Sequence, residues 1–130
     1  MKLYAAVILG GALGSCARFA LAVWIDSKTG GIFPWGTMTV NLIGSFVIGF
    51  FMALSGPEGP LMLSPVLRAF VAIGIMGGFT TFSSFSFQTV MLLQDGQWLW
   101  AAGNVLLSVS LCLLATGTGI ILVNILPLRS

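Results

Sequence analysis

Four stretches of this chain are apolar for about 20 residues or more, and they leave little of it over. They run from about Leu3 to Ile25, Thr37 to Leu54, Pro65 to Leu93 and Trp98 to Leu126. A helix needs roughly 20 mostly apolar residues to cross the hydrocarbon core, so each stretch is long enough. The third and fourth exceed that length, which predicts tilt or a break. No segment alternates apolar and polar residues as a membrane barrel strand does. Backbone groups in lipid must be satisfied internally, which leaves helices. Only 6% of the 130 residues are charged, against about 25% in soluble domains. Five basic and three acidic side chains are too few to solvate a globule of this size. The expected fold class is an all-α membrane protein, with four transmembrane helices in a single domain over residues 1–130. Its surroundings are the lipid bilayer, and no nucleic-acid partner is expected.

The connections carry breaker residues: "DSKTGGIFPWG" at Asp26–Gly36, "SGPEGP" at Ser55–Pro60 and "QDGQW" at Gln94–Trp98. Trp24, Trp35, Trp98 and Trp100 fall near span ends, where indoles favour the lipid–water boundary. Near the N-terminus, Lys2, an apolar run and "LGSC" have the form of a lipoprotein signal ending at Cys16. The run continues past Cys16 through Arg18 into more apolar residues, so no cleavage is expected. Cys16 and Cys112 both lie inside spans and read as small packing residues rather than a bridge. There is no histidine, hence no imidazole metal site or proton relay.

Asp26, Glu58 and Asp95 are all expected in loops. Proton-coupled transporters usually keep an ionisable group inside the membrane. Without one, the chain is suited to passive movement of a solute, or to no transport. Four spans put both termini on one side, with Lys2, Arg68 and Arg129 there and Arg18 and Lys28 opposite. That bias allows either one fixed orientation or insertion both ways up, and the second would permit an antiparallel pair. Arg18 reaches the interior of a span. It either snorkels to the interface or supplies a fixed positive charge at the mouth of an anion path.

Polar residues inside the spans follow a spacing of four. Thr37, Asn41, Ser45 and Gly49 share a face of the second span, and Asn104, Ser108, Cys112 and Thr116 share one of the fourth. Each small hydroxyl alone reads as contact between helices, and Gly10 and Gly14 read the same way. Asn41 says more, because a buried carboxamide must find partners. Together with "GGFTTFSSFSFQ" at Gly77–Gln88, the stripes suggest a path of uncharged donors, which suits an anion. Gly77 and Gly78 weaken the helix by about 1 kcal/mol each relative to alanine. A third helix broken at mid-membrane frees carbonyls, tolerated where they are buried in protein or hold an ion such as sodium. Phe82 and Phe85 point to similar faces, and the positive edge of a phenyl ring can meet a desolvated anion. Phe79 and Phe87 read as bulk facing lipid.

Nearly the whole chain resembles the Fluc/CrcB family of fluoride channels. The resemblance rests on "GGALGSCAR" ending at Arg18, "GTMTVNLIGSFVIG" at Gly36–Gly49 and "GIMGGFTTFSSFSFQ" at Gly74–Gln88. It implies a four-helix subunit in the bacterial plasma membrane, paired as an antiparallel, dual-topology homodimer with two fluoride pores. Phe82 and Phe85 would be the pore phenylalanines and Asn41 would hydrogen-bond fluoride. Ser108, Cys112 and Thr116 would fall on the polar track of the fourth span, with Thr81, Ser84 and Gln88 completing the lining. Arg18 would mark the anion vestibule. Backbone carbonyls of Gly77 and Thr80 would hold a structural sodium ion where the two third spans cross. The family often has glutamate where this chain has Gln88, which keeps hydrogen bonding without the charge.

The implied function is passive, fluoride-selective export that confers fluoride resistance, with no enzymatic step. Two rivals share the size: a small four-span proton-coupled drug exporter and a non-transporting membrane assembly subunit. The first needs a membrane-embedded carboxylate, and the second uses the stripes only for packing.

Overall fold

The computed structural model describes residues 1–56 and 59–126. Glu58 and Arg129, used above, lie outside the described residues. Among those described, all regular structure is helical. Helix α1 spans Lys2–Thr29 and α2 spans Trp35–Ser55. The third span is composite: α3 at Pro65–Arg68, a π-helical stretch at Ala69–Ile75, α4 at Met76–Phe79 and α5 at Phe82–Gln94. Helix α6 covers Trp98–Ile125. The four spans are long and apolar enough to cross a membrane, as their hydropathy predicts.

Helix α1 runs past Ile25 to Thr29, so Asp26 sits in its last turn and not in a loop. The stop comes from Gly30, at φ 52° and ψ 26°, whose N–H bonds back to the Asp26 carbonyl. The Asp26 carboxylate reaches over to α2, where Oδ1 accepts the Gly36 N–H at 2.8 Å. It thereby serves a donor in the first turn of α2 that has no partner within that helix. Phe33, between the two helices, is 4% exposed. Its ring lies 4.5 Å from Trp35 and 5.7 Å from Trp100, tying the start of α2 to the start of α6.

Glycines set the helix contacts. A Cβ on Gly10 would overlap the Phe70 carbonyl, one on Gly14 the Ile75 carbonyl, and one on Gly78 the Gly11 carbonyl. Helix α1 therefore lies backbone to backbone on the third span. On the other side, Gly49 meets the Thr116 backbone and Gly119 meets that of Phe46 and Phe50. This brings α2 and α6 together.

Two further expectations change. Phe79 is buried at 9% exposed, whereas Phe87 faces outward at 66%. The reason is local: Gly44 of α2 and Gly14 of α1 leave a slot, so the residue at 79 packs inward. The glycine pair also does not interrupt the helix. Gly77 and Gly78 lie within the α4 turn, and the extended residues are Thr80 (φ −78°, ψ 152°) and Thr81 (φ −148°, ψ 106°). Gly78 is required by the approach to α1, and Gly77 is exposed with open space around it.

Candidate ion pore

The two extended residues create a polar problem that Asn41 solves. Its Oδ1 accepts the Thr81 N–H at 2.7 Å, and its Nδ2 donates to the Thr81 carbonyl at 3.1 Å. One carboxamide thus closes on both backbone groups of one residue. Gly44, three residues on along α2, leaves room for the Thr80 methyl, where any Cβ would collide. Thr81 then caps α5. Its Oγ1 accepts the Ser84 N–H at 3.2 Å and lies 3.1 Å from Ser84 Oγ and 3.2 Å from Ser83 Oγ.

In an unbroken helix the Thr81 and Ser84 N–H groups would bond the carbonyls of Gly77 and Thr80, four residues earlier. Both donors are used elsewhere, by Asn41 Oδ1 and Thr81 Oγ1. The carbonyls of Gly77 and Thr80 have therefore lost their helical partners.

A groove of about 350 Å³ opens along this cap. Asn41 and Ser45 of α2, Thr80 and Thr81 of the break, Phe82 and Phe85 of α5, and Ser108 and Cys112 of α6 all line it. Six of the residues expected in a pore are thereby gathered: Asn41, Thr81, Phe82, Phe85, Ser108 and Cys112. The Phe82 and Phe85 rings lie 5.3 Å apart at 44°, yet Phe85 is 9% exposed and Phe82 is 77% exposed. One wall of the groove is thus a bare aromatic face.

A second cavity, about 300 Å³, is lined by Arg18, Asp26, Thr37, Ser84 and Gln88, and it too reaches Thr81. Thr81 is the residue common to both. Gln88 Oε1 is buried there with no hydrogen-bond partner. Turning the carboxamide over would present its N–H groups to the same space.

Thr116 is placed differently. Its Oγ1 lies 3.0 Å from both the Ser45 and the Cys112 carbonyls, which share its one hydrogen, and it does not line the groove. Ser45 does line it, although its spacing had placed it only on a stripe. No motif in the sequence marks Thr89. Its Oγ1 donates to the Phe85 carbonyl at 2.7 Å and accepts from Asn104 Nδ2 at 2.8 Å.

The sequence of the chain as a whole places it in a family. The profile described as "CrcB-like protein, Camphor Resistance (CrcB)" matches residues 5–120. A protein of Opitutus terrae named fluoride-specific ion channel FluC is 54% identical over 119 residues, covering 92% of this chain and 90% of its own. A protein of the same name from Methylocella silvestris is 51% identical, covering 89% and 88%. Another from Rhodospirillum rubrum is 50% identical, covering 89% and 90%. With the match running through all four spans and both motifs that form the groove, this multi-pass membrane chain belongs to the CrcB-like family.

Proposed function

We propose that this chain is a fluoride-selective channel that lets fluoride leave the cytoplasm passively, through two pores of an antiparallel dimer. The observation that carries the reading is the groove itself, where amide and hydroxyl groups meet two phenylalanine rings and no carboxylate enters the lining. The names of the relatives supply the ion. Fluoride is small and holds its water strongly, so entry demands replacement donors. Asn41 Nδ2 has two hydrogens, and Thr81 takes one of them. The other is left for an ion, beside the Ser108 hydroxyl and the ring edges of Phe82 and Phe85. Chloride is larger and gains less from donors set this closely. Arg18 sets a positive charge in the adjoining cavity, opposed there by the Asp26 carboxylate, which is itself engaged by the Gly36 N–H.

Hydrogen fluoride enters cells at acid pH, dissociates and leaves the anion trapped. The membrane potential then drives its exit at about 2.3 kcal/mol per 100 mV. A proton-driven exporter fits less well. Asp26 is exposed in the last turn of α1 and bonded to the Gly36 N–H.

Two observations support the antiparallel pair. Phe82 is bare in a single copy, and a second copy laid across the mid-membrane break would complete that wall. Trp24, Trp35, Trp98 and Trp100 all sit at the end of the bundle where α1 finishes and α2 and α6 begin, opposite Lys2 and Arg68. An inverted partner gives each leaflet an indole belt and equal positive charge. The Gly77 and Thr80 carbonyls, stripped of their helical donors, fit a structural sodium ion at the crossing. Such an ion would supply a fixed positive charge that joins the two breaks.

Vesicles loaded with potassium fluoride and carrying the purified protein should release fluoride on addition of valinomycin, without a pH gradient. Retention of the ion, or equally fast chloride release, would contradict the reading. Phe82→Ile removes the polar ring edge and keeps apolar bulk, so efflux should fall about tenfold, equivalent to ~1.4 kcal/mol. Cross-linking should still recover a dimer. Unchanged efflux would remove Phe82 from the path.

A further inference from the structure

Behind the groove, three side chains form a hydrogen-bonded line whose direction is fixed by its last member. Thr89 Oγ1 lies 2.7 Å from the Phe85 carbonyl, which can only accept, so the Thr89 hydroxyl hydrogen is spent there. The atom 2.8 Å away on its other side must then be a donor, which makes it Asn104 Nδ2. That orientation turns Asn104 Oδ1 toward Ser108 Oγ, at 3.2 Å. Between those two oxygens the hydroxyl has to donate. Asn104 is 1% exposed, so water does not compensate its carboxamide. Asn104 lies outside the groove lining, whereas Ser108 belongs to it.

Ser108 has one hydrogen and two claimants for it. At rest the hydrogen points away from the path, onto Asn104 Oδ1, and the lone pairs face the groove. To bind an anion the hydroxyl must rotate, which leaves a buried Oδ1 without a donor. We infer that Asn104 is a positioning residue that makes Ser108 a reversible, deliberately poor donor and so keeps the ion from lodging beside α6. Conduction needs sites that are entered readily and left readily, and competition for one hydrogen provides this. The inference rests on the fluoride reading above and adds a role for Asn104 and Thr89.

The test is efflux from vesicles as a function of internal fluoride, for the full-length protein. Asn104→Leu removes the competitor. The fluoride concentration at half-maximal efflux should fall about tenfold, equivalent to ~1.4 kcal/mol, and the maximal rate should fall with it. In a Ser108→Ala background the same substitution should leave half-saturation where Ser108→Ala alone puts it. Thr89→Val has nearly the same shape and leaves Asn104 itself in place, so it tests the inference independently of Asn104→Leu. It releases the carboxamide from its fixed orientation and should move half-saturation the same way by a smaller factor. A role confined to packing would lower the rate at every concentration and leave half-saturation in place. That result, or a shift that survives Ser108→Ala, overturns the inference. Wild-type vesicles that release no fluoride overturn the channel reading as well, which separates the two failures.

Discussion

Replacing Asn41 with aspartate is expected to lower fluoride efflux by roughly a thousandfold while the protein remains folded. The substitution keeps Oδ1 and therefore keeps the bond accepted from the Thr81 N–H at 2.7 Å. It removes Nδ2, and with it the bond to the Thr81 carbonyl and the hydrogen left over for an ion. It also sets a carboxylate on the groove wall. Two like charges 4 Å apart repel by about 4 kcal/mol at the effective dielectric of a protein surface. At about 1.4 kcal/mol per tenfold in rate, that term alone gives about three orders of magnitude. Asn41→Ala should separate two roles of the residue. It leaves both Thr81 backbone groups without partners, at about 1–3 kcal/mol each, so it should destabilise the fold as well as the path. The comparison is efflux together with the size-exclusion profile of each variant. Near-native efflux from Asn41→Asp would show that the groove is not the route.

The fold was legible wherever hydropathy alone decides, and less so wherever a contact decides. Four spans follow from uninterrupted apolar runs. The end of α1 did not, because Gly30 and its left-handed turn outrank the polar residues at Asp26–Lys28. Asn41 announced itself, since a carboxamide amid apolar residues must be answered by something. What answers it, the backbone of Thr81, lies 40 residues away and has no signature of its own. Phe79 and Phe87 are equivalent letters in one motif. Only the slot left by Gly14 and Gly44 makes the first a core residue. Thr116 shows a related limit. Its spacing put it on the polar stripe correctly, but spacing cannot tell whether a hydroxyl hydrogen faces a pore or a carbonyl. The π-helical turns at Ala69–Ile75 had no marker in an ordinary apolar sequence.

The position of the groove depends in turn on how closely α1 holds the third span, and a single methyl group tests this. Gly14→Ala should destabilise the protein by about 2–3 kcal/mol, the upper range for forcing extra volume into a packed core. The new Cβ would overlap the Ile75 carbonyl oxygen and come within 2.9 Å of the Phe79 nitrogen, both backbone atoms that no side-chain rotation can move. The helices would have to part, carrying Phe79 out of its slot and shifting Thr80 and Thr81 away from Asn41. Gly11→Ala makes the same chemical change less than a turn away, where nothing lies within 4 Å of the added carbon. There the better helix propensity of alanine, worth up to about 1 kcal/mol, acts unopposed. The two variants should therefore move the temperature at which the detergent-solubilised protein loses monodispersity in opposite directions. If both moved it alike, the backbone contact between α1 and the third span would not be what sets the break against Asn41, and the geometry of the groove would need another cause.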